Sequence, residues 1–99
     1  MATYVLLCTD HPNALERRMG VREAHLAYVA KNGVGLIRLA GPLFNDAGEM
    51  AGSMFIMEAD SPAAVEVFNA SDPYTVAGVF ERREIYPMKI TVGAIAAPK

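Results

Sequence analysis

The apolar positions of this chain change their spacing several times, and each change marks an element. Residues 3–9, TYVLLCT, are a run of β-formers closed by the polar DHPN, which predicts a first strand. Over roughly 13–32 the period lengthens: Leu15, Met19, Leu26 and Val29 recur at helical spacing, and Gly33 stands where a helix stops. GLIRLAGPLF predicts a second strand running into a turn at Gly41-Pro42, and NDAGEMAG supplies the turn residues for a hairpin into a third strand, SMFIMEA. Ser61-Pro62 sets an N-cap and a first-turn proline ahead of a second helix, AAVEVFNA, with Val65 and Phe68 on one side. The last segment, 79–92, VFERREIYPMKITV, is β-rich and interrupted by Pro87, which predicts a bent edge strand.

The order β-α-β-β-α-β predicts an α+β, ferredoxin-like split βαβ fold, an antiparallel sheet with both helices on one face. A sheet with one solvated face is apolar on one parity only. Here Tyr4, Leu6 and Cys8 alternate with the equally apolar Val5 and Leu7, and Phe55 and Met57 alternate with Met54 and Ile56. Both faces are therefore expected to be covered, one by the helices and the other by a second copy of the sheet in a homodimer.

Composition narrows the partners. The 99 residues, 53% hydrophobic and 20% charged, predict one ordered globular domain spanning 1–99. The net charge of -2 and the scattered basic residues leave no basic face for nucleic acid. The N-terminal apolar run lacks the basic flank and cleavage pattern of a secretory signal, and no apolar stretch approaches the roughly 20 residues of a membrane span. Cys8 has no second cysteine to pair with, which fits a reducing cytoplasm, and its place in a buried strand predicts a structural role.

Candidate chemistry centres on the first helix, where Arg22, His25 and Tyr28 or Val29 share a face. A lone histidine near a core stripe is usually structural. A carboxylate held against it would fix its tautomer and leave the outer nitrogen free as a general base or acid. Asp72, in SDPYTVAG just after the second helix, is the candidate partner, because adjacent helices on one sheet face would bring it to His25. Asp72 could equally cap the short turn that follows it. Asp10-His11 is expected to cap the start of the first helix, and Asp46, Glu49 and Asp60 are expected to be turn or surface acids. Arg38, Ser53 and Tyr74 are candidate polar lining, while Gly41-Pro42 and Gly52 suit a turn and a close approach. NGVG and AGEMAG lack the features of a phosphate loop, there is no Gly-x-Ser-x-Gly elbow, and His11, His25 and Asp72 have no close metal-ligand spacing. No metal or cofactor is expected.

Taken together, DHPNALERRMGVREAHLAYV, LAGPL and GSMFIMEADSPAAVEVFNASDPYTVAGVFERREIYPMK resemble the YciI-like (YCII-related) family from about residue 3 to residue 91. The most specific parts are Arg22-x-x-His25, Ala40-Gly41-Pro42, Gly52-Ser53 and Asp72-Pro73-Tyr74-x-x-x-Gly78. The resemblance implies a ferredoxin-like fold that dimerises into an α+β barrel, as in the muconolactone isomerase-like superfamily. It also implies an active-site histidine and aspartate, corresponding to His25 and Asp72. Its characterised chemistry, dehydrochlorination of a chlorinated hydroxyhydroquinone, belongs to a specialised branch. The expectation is a small cofactor-independent enzyme performing lyase- or isomerase-like proton transfer, or dehydrochlorination-type chemistry, on a small cyclic or aromatic substrate. In it Asp72 orients His25, Arg22 or Ser53 holds an anionic or phenolic oxygen, and Tyr74 and Phe80 line the pocket. The alternative is a non-catalytic small-molecule-binding or interaction module in which the pair is only a buried hydrogen bond.

Overall fold

A computed structural model describes residues 1–95. In chain order the elements are β1 (Ala2–Asp10), α1 (Leu15–Gly20), α2 (Arg22–Asn32), β2 (Ile37–Phe44), β3 (Met50–Ala59), α3 (Pro62–Ala70), α4 (Pro73–Val76) and β4 (Phe80–Met88). The strands form one antiparallel sheet in the order β2-β3-β1-β4, the expected ferredoxin-like arrangement. No helix among the described residues is long and apolar enough to cross a membrane.

Strand parity decides what faces the helices. β1 and β3 pair in register from Ala2 opposite Ala59 to Thr9 opposite Gly52, which places Tyr4, Leu6 and Cys8 on the same face as Met57, Phe55 and Ser53. Val65 and Phe68 of α3 and Tyr74 of α4 close this layer into the core. The serine N-cap forms as its sequence suggests: Ser61 Oγ accepts from the Ala64 amide at 3.3 Å, with Pro62 in the first turn. On the other parity Val5 lies between Ile56 and Tyr86, and Leu7 lies between Met54 and Glu84. No element among the described residues covers this second face, and Leu39 and Tyr86 stand 44% and 48% exposed on it.

Four features depart from the pattern of the sequence. The segment 13–32 is two helices, parted at Val21, whose φ of -115° and ψ of 9° leave helical geometry just after Gly20, a weak helix former. Met19 and Leu26, part of the helical apolar stripe, are 51% and 46% exposed, while Arg18 and His25 point inward. Gly41-Pro42 is not a turn but lies inside β2, an edge strand in which proline's missing N–H can be spared. The turn is made further on, where Asn45 bonds the Glu49 carbonyl at 2.9 Å and its side chain accepts from the Ala47 and Glu49 amides at 3.0 Å each. At the other edge β4 runs through Pro87 and ends at Met88, short of the predicted 92.

Two predictions follow from the tight centre of the sheet. A Cβ on Gly52 would lie 2.6 Å from the Cys8 carbonyl oxygen, a backbone atom of the paired strand. Gly52→Ala is therefore expected to cost about 1–3 kcal/mol in urea unfolding, and an unchanged midpoint would refute the close approach. Burial pushes the Cys8 thiol up from 9.0 to about 12, with the nearby Asp72 charge acting in the same direction. The folded state thus keeps a proton that the unfolded chain releases, so this contribution is intact below about pH 9 and is lost as pH rises toward 12. Tyr28 and Tyr74, both raised by burial, act with the same sign, so the Cys8 share is read from Cys8→Ala, which should fall less steeply in stability over that window. Identical slopes for variant and wild type would count against it.

Candidate active site

The site sits where the helices meet the β2-β3 side of the sheet. Arg18, Arg22, His25, Ser53, Phe55 and Tyr74 converge there with the Ala40–Pro42 stretch of β2, around a cavity of about 180 Å³.

Asp72 answers for both roles that its sequence context allows. It is the N-cap of α4, and its Oδ1 accepts from the Tyr74 amide at 2.9 Å and pairs with His25 Nδ1 at 2.8 Å. Pro73 at the first helical position fixes the local chain direction, so the cap holds the carboxylate still while the histidine reaches it. An oxygen accepting from a backbone amide is acting as an acceptor, so Nδ1 of His25 carries the proton and donates it to Asp72. Nε2 has no hydrogen-bond partner among the described residues. The imidazole lies flat on the Tyr74 ring, with centroids 3.9 Å apart and planes 15° from parallel, and meets Phe55 edge-on at 6.4 Å. Oδ2 of Asp72 is buried without a partner, and His25, bonded to Oδ1, is the only side-chain partner of Asp72 among the described residues.

A second polar assembly lies beside the first. Arg18 is 1% exposed, and its Nε and Nη2 donate to the two carboxylate oxygens of Asp10 at 2.8 and 2.9 Å. Nη2 also donates to Ser53 Oγ at 2.9 Å, and the guanidinium lies over the Tyr74 ring at 4.4 Å. Burial disfavours the charged guanidinium, but hydrogen bonding and attraction from Asp10 outweigh it and raise the Arg18 pKa above its usual value. Burial likewise raises the Tyr74 hydroxyl, against the opposing pull of Arg18 and Arg22. The expected helix cap at Asp10 is not made, because α1 begins at an Ala14 N-cap with no side-chain cap bond while Asp10 ends β1. Strand parity held a signal for this: Asp10 continues the inward series Tyr4, Leu6, Cys8, and an inward acid needs an inward cation.

The other candidates separate. Arg22, Ser53 and Tyr74 line the cavity with His25, although Ser53 is engaged by Arg18. Phe80 does not line it; its ring packs edge-on against Tyr74 at 5.8 Å, one layer behind. Arg38 also lies outside the lining and pairs with Glu58. His11 is on the surface, 3.6 Å from Glu81, and the described residues hold no cluster of three metal-ligating side chains.

Comparison with known proteins extends this geometry. Protein YciI of Escherichia coli O6:H1 is 37% identical over 93 residues, which cover 87% of this chain and 95% of that relative. An uncharacterized protein of Haemophilus influenzae is 34% identical over 94 residues, at the same coverage of 87% and 95%. Among solved structures, 5-chloro-2-hydroxyhydroquinone dehydrochlorinase from Burkholderia phenoliruptrix, in complex with 2,5-dihydroxybenzoquinone, superposes with a TM-score of 0.79 at 33% identity, over 88% of this chain and 93% of that one. The YCII-related domain family matches residues 2–89, from the first residue of β1 to just beyond β4, and this chain belongs to it.

Proposed function

We propose that this protein is a small enzyme, working without a cofactor, that moves a proton on a small cyclic or aromatic substrate, with His25 as the acid/base and Asp72 as its orienting partner. The observation that carries the reading is the 2.8 Å contact between His25 Nδ1 and Asp72 beside a cavity of about 180 Å³ that His25 lines. A dry cavity of about 150 Å³ is enough for benzene, so the space suits a single ring. Phe55, Val29 and Met50 supply apolar walls that limit water around the base. The dehydrochlorinase with the same fold acts on a chlorinated, hydroxylated ring, which favours a related substrate class here.

In this reading Asp72 keeps the Nδ1 proton in place, and Nε2 takes a proton from a carbon or hydroxyl of the bound ring. Nε2 then returns it to the atom that needs it, completing an isomerisation or assisting departure of a leaving group. The uncovered apolar face, with Val5, Leu7, Ile56, Leu39 and Tyr86, supports assembly with a second copy of the chain, sheet against sheet.

Purified protein assayed with 5-chloro-2-hydroxyhydroquinone and related hydroxylated rings is expected to turn over at least one of them. His25→Ala should reduce that turnover by about 10²–10⁴-fold while the circular dichroism spectrum stays that of a folded chain, with melting lowered because Asp72 is left buried without its side-chain donor. Retained turnover in a folded variant would sink the reading. For the assembly, light scattering at micromolar concentration should give twice the chain mass, and Leu7→Asp should give a single chain. A monomeric wild type would overturn the dimer.

A further inference from the structure

Arginine carries five N–H donors in a rigid fork. In Arg18 the Nε donor and Nη2 are tied to Asp10 and Ser53, which leaves the two N–H groups of Nη1. The Tyr74 hydroxyl is close enough to Arg18 for the guanidinium to oppose the rise that burial causes in its pKa. The side chain is 1% exposed and lines the cavity. Arg22 differs: it is half-buried at the cavity wall and makes no hydrogen bond or ion pair among the described residues. A donor locked in place before the ligand arrives costs no reorganisation when charge appears in front of it.

We propose that Arg18 is the oxyanion-binding group of this site, with Nη1 donating to an ionised ring oxygen, so that the cavity selects rings bearing a phenolate, enolate or carboxylate. Asp10 and Ser53 are positioning residues that aim the guanidinium, and Asp10 balances its charge while no ligand is bound. The inference rests on the proton-transfer reading only for what happens next. When the ring enters un-ionised and an O–H bond, or a C–H bond next to a carbonyl, breaks, its proton passes to His25 Nε2, and the electron pair comes to rest on the oxygen facing Arg18 as the phenolate or enolate that Arg18 holds.

The test uses 4-nitrophenol, whose ionisation is visible in its absorption spectrum. Removing Arg18 alone would leave Asp10 buried and unpaired, so the variant is the double substitution Asp10→Asn with Arg18→Met, checked for folding by circular dichroism. Titrated with wild type at millimolar concentration, bound 4-nitrophenol should ionise about one pH unit or more below the free dye. The double variant should abolish that shift and bind the phenolate about tenfold or more weakly. Arg18→Lys, which keeps the charge but loses the fork, should retain only part of the shift. His25→Ala should keep the shift even where turnover is lost. Loss of the shift in the double variant, together with unimpaired turnover in His25→Ala, would uphold Arg18 and overturn the role of His25. A folded double variant with the wild-type shift, or a wild type that neither binds nor shifts the dye, would overturn the proposal.

Discussion

The constraint on which the structure turns is that one helical segment sends two nitrogen-rich side chains, Arg18 and His25, into an otherwise apolar layer. A buried charge or polar group is tolerable only if it is paired, and each finds its carboxylate on a different element. Asp10 comes from the end of β1, and Asp72 comes from the cap of α4. The two pairs therefore locate α1 and α2 on the sheet more definitely than apolar contact would. A hydrophobic surface slides at modest cost, whereas a bidentate fork loses its bonds when displaced by an ångström.

The cavity follows from that arrangement. Arg18 and His25 are each bonded to a carboxylate, and both line the cavity between the helices and β2. Tyr74 joins the two assemblies, with its ring under both the imidazole and the guanidinium and its amide bonded to Asp72. Because the same Asp72 oxygen caps α4 and receives the histidine, the helix end and the His25 imidazole share one support. A change to that carboxylate would disturb both.

The division of the sheet into two faces completes the architecture. One parity of β1 carries the core and ends in Asp10 at the site, and the other carries Val5 and Leu7 on the uncovered side. Position 52 has to be glycine for the strands to meet closely beside Cys8, next to Ser53, whose hydroxyl engages Arg18.

Much of this was legible in the chain itself. The order of strands and helices, the Ser61 cap and the apolar residues on both parities are local properties of periodicity and capping, and they needed no tertiary information. The adjacency of His25 and Asp72 also followed, because a split βαβ topology brings the two helices side by side and SDPY is a strong cap sequence. For the pair of Arg18 with Asp10, strand parity pointed only to the inward acid, and its partner was not legible. A helical pattern is read by counting apolar residues, so a buried arginine counts as surface, and Met19 and Leu26 took the inward places that belong to Arg18 and His25. The break at Val21 and the passage of β2 through Gly41-Pro42 were hidden for a related reason. Glycine and proline mark where a chain is able to turn, but whether it does so depends on the strand or helix beside it. The sequence by itself determined which elements form and in what order, through local propensity. Only the tertiary structure decided which polar side chains are buried, because that depends on a partner of opposite character arriving from a distant part of the chain.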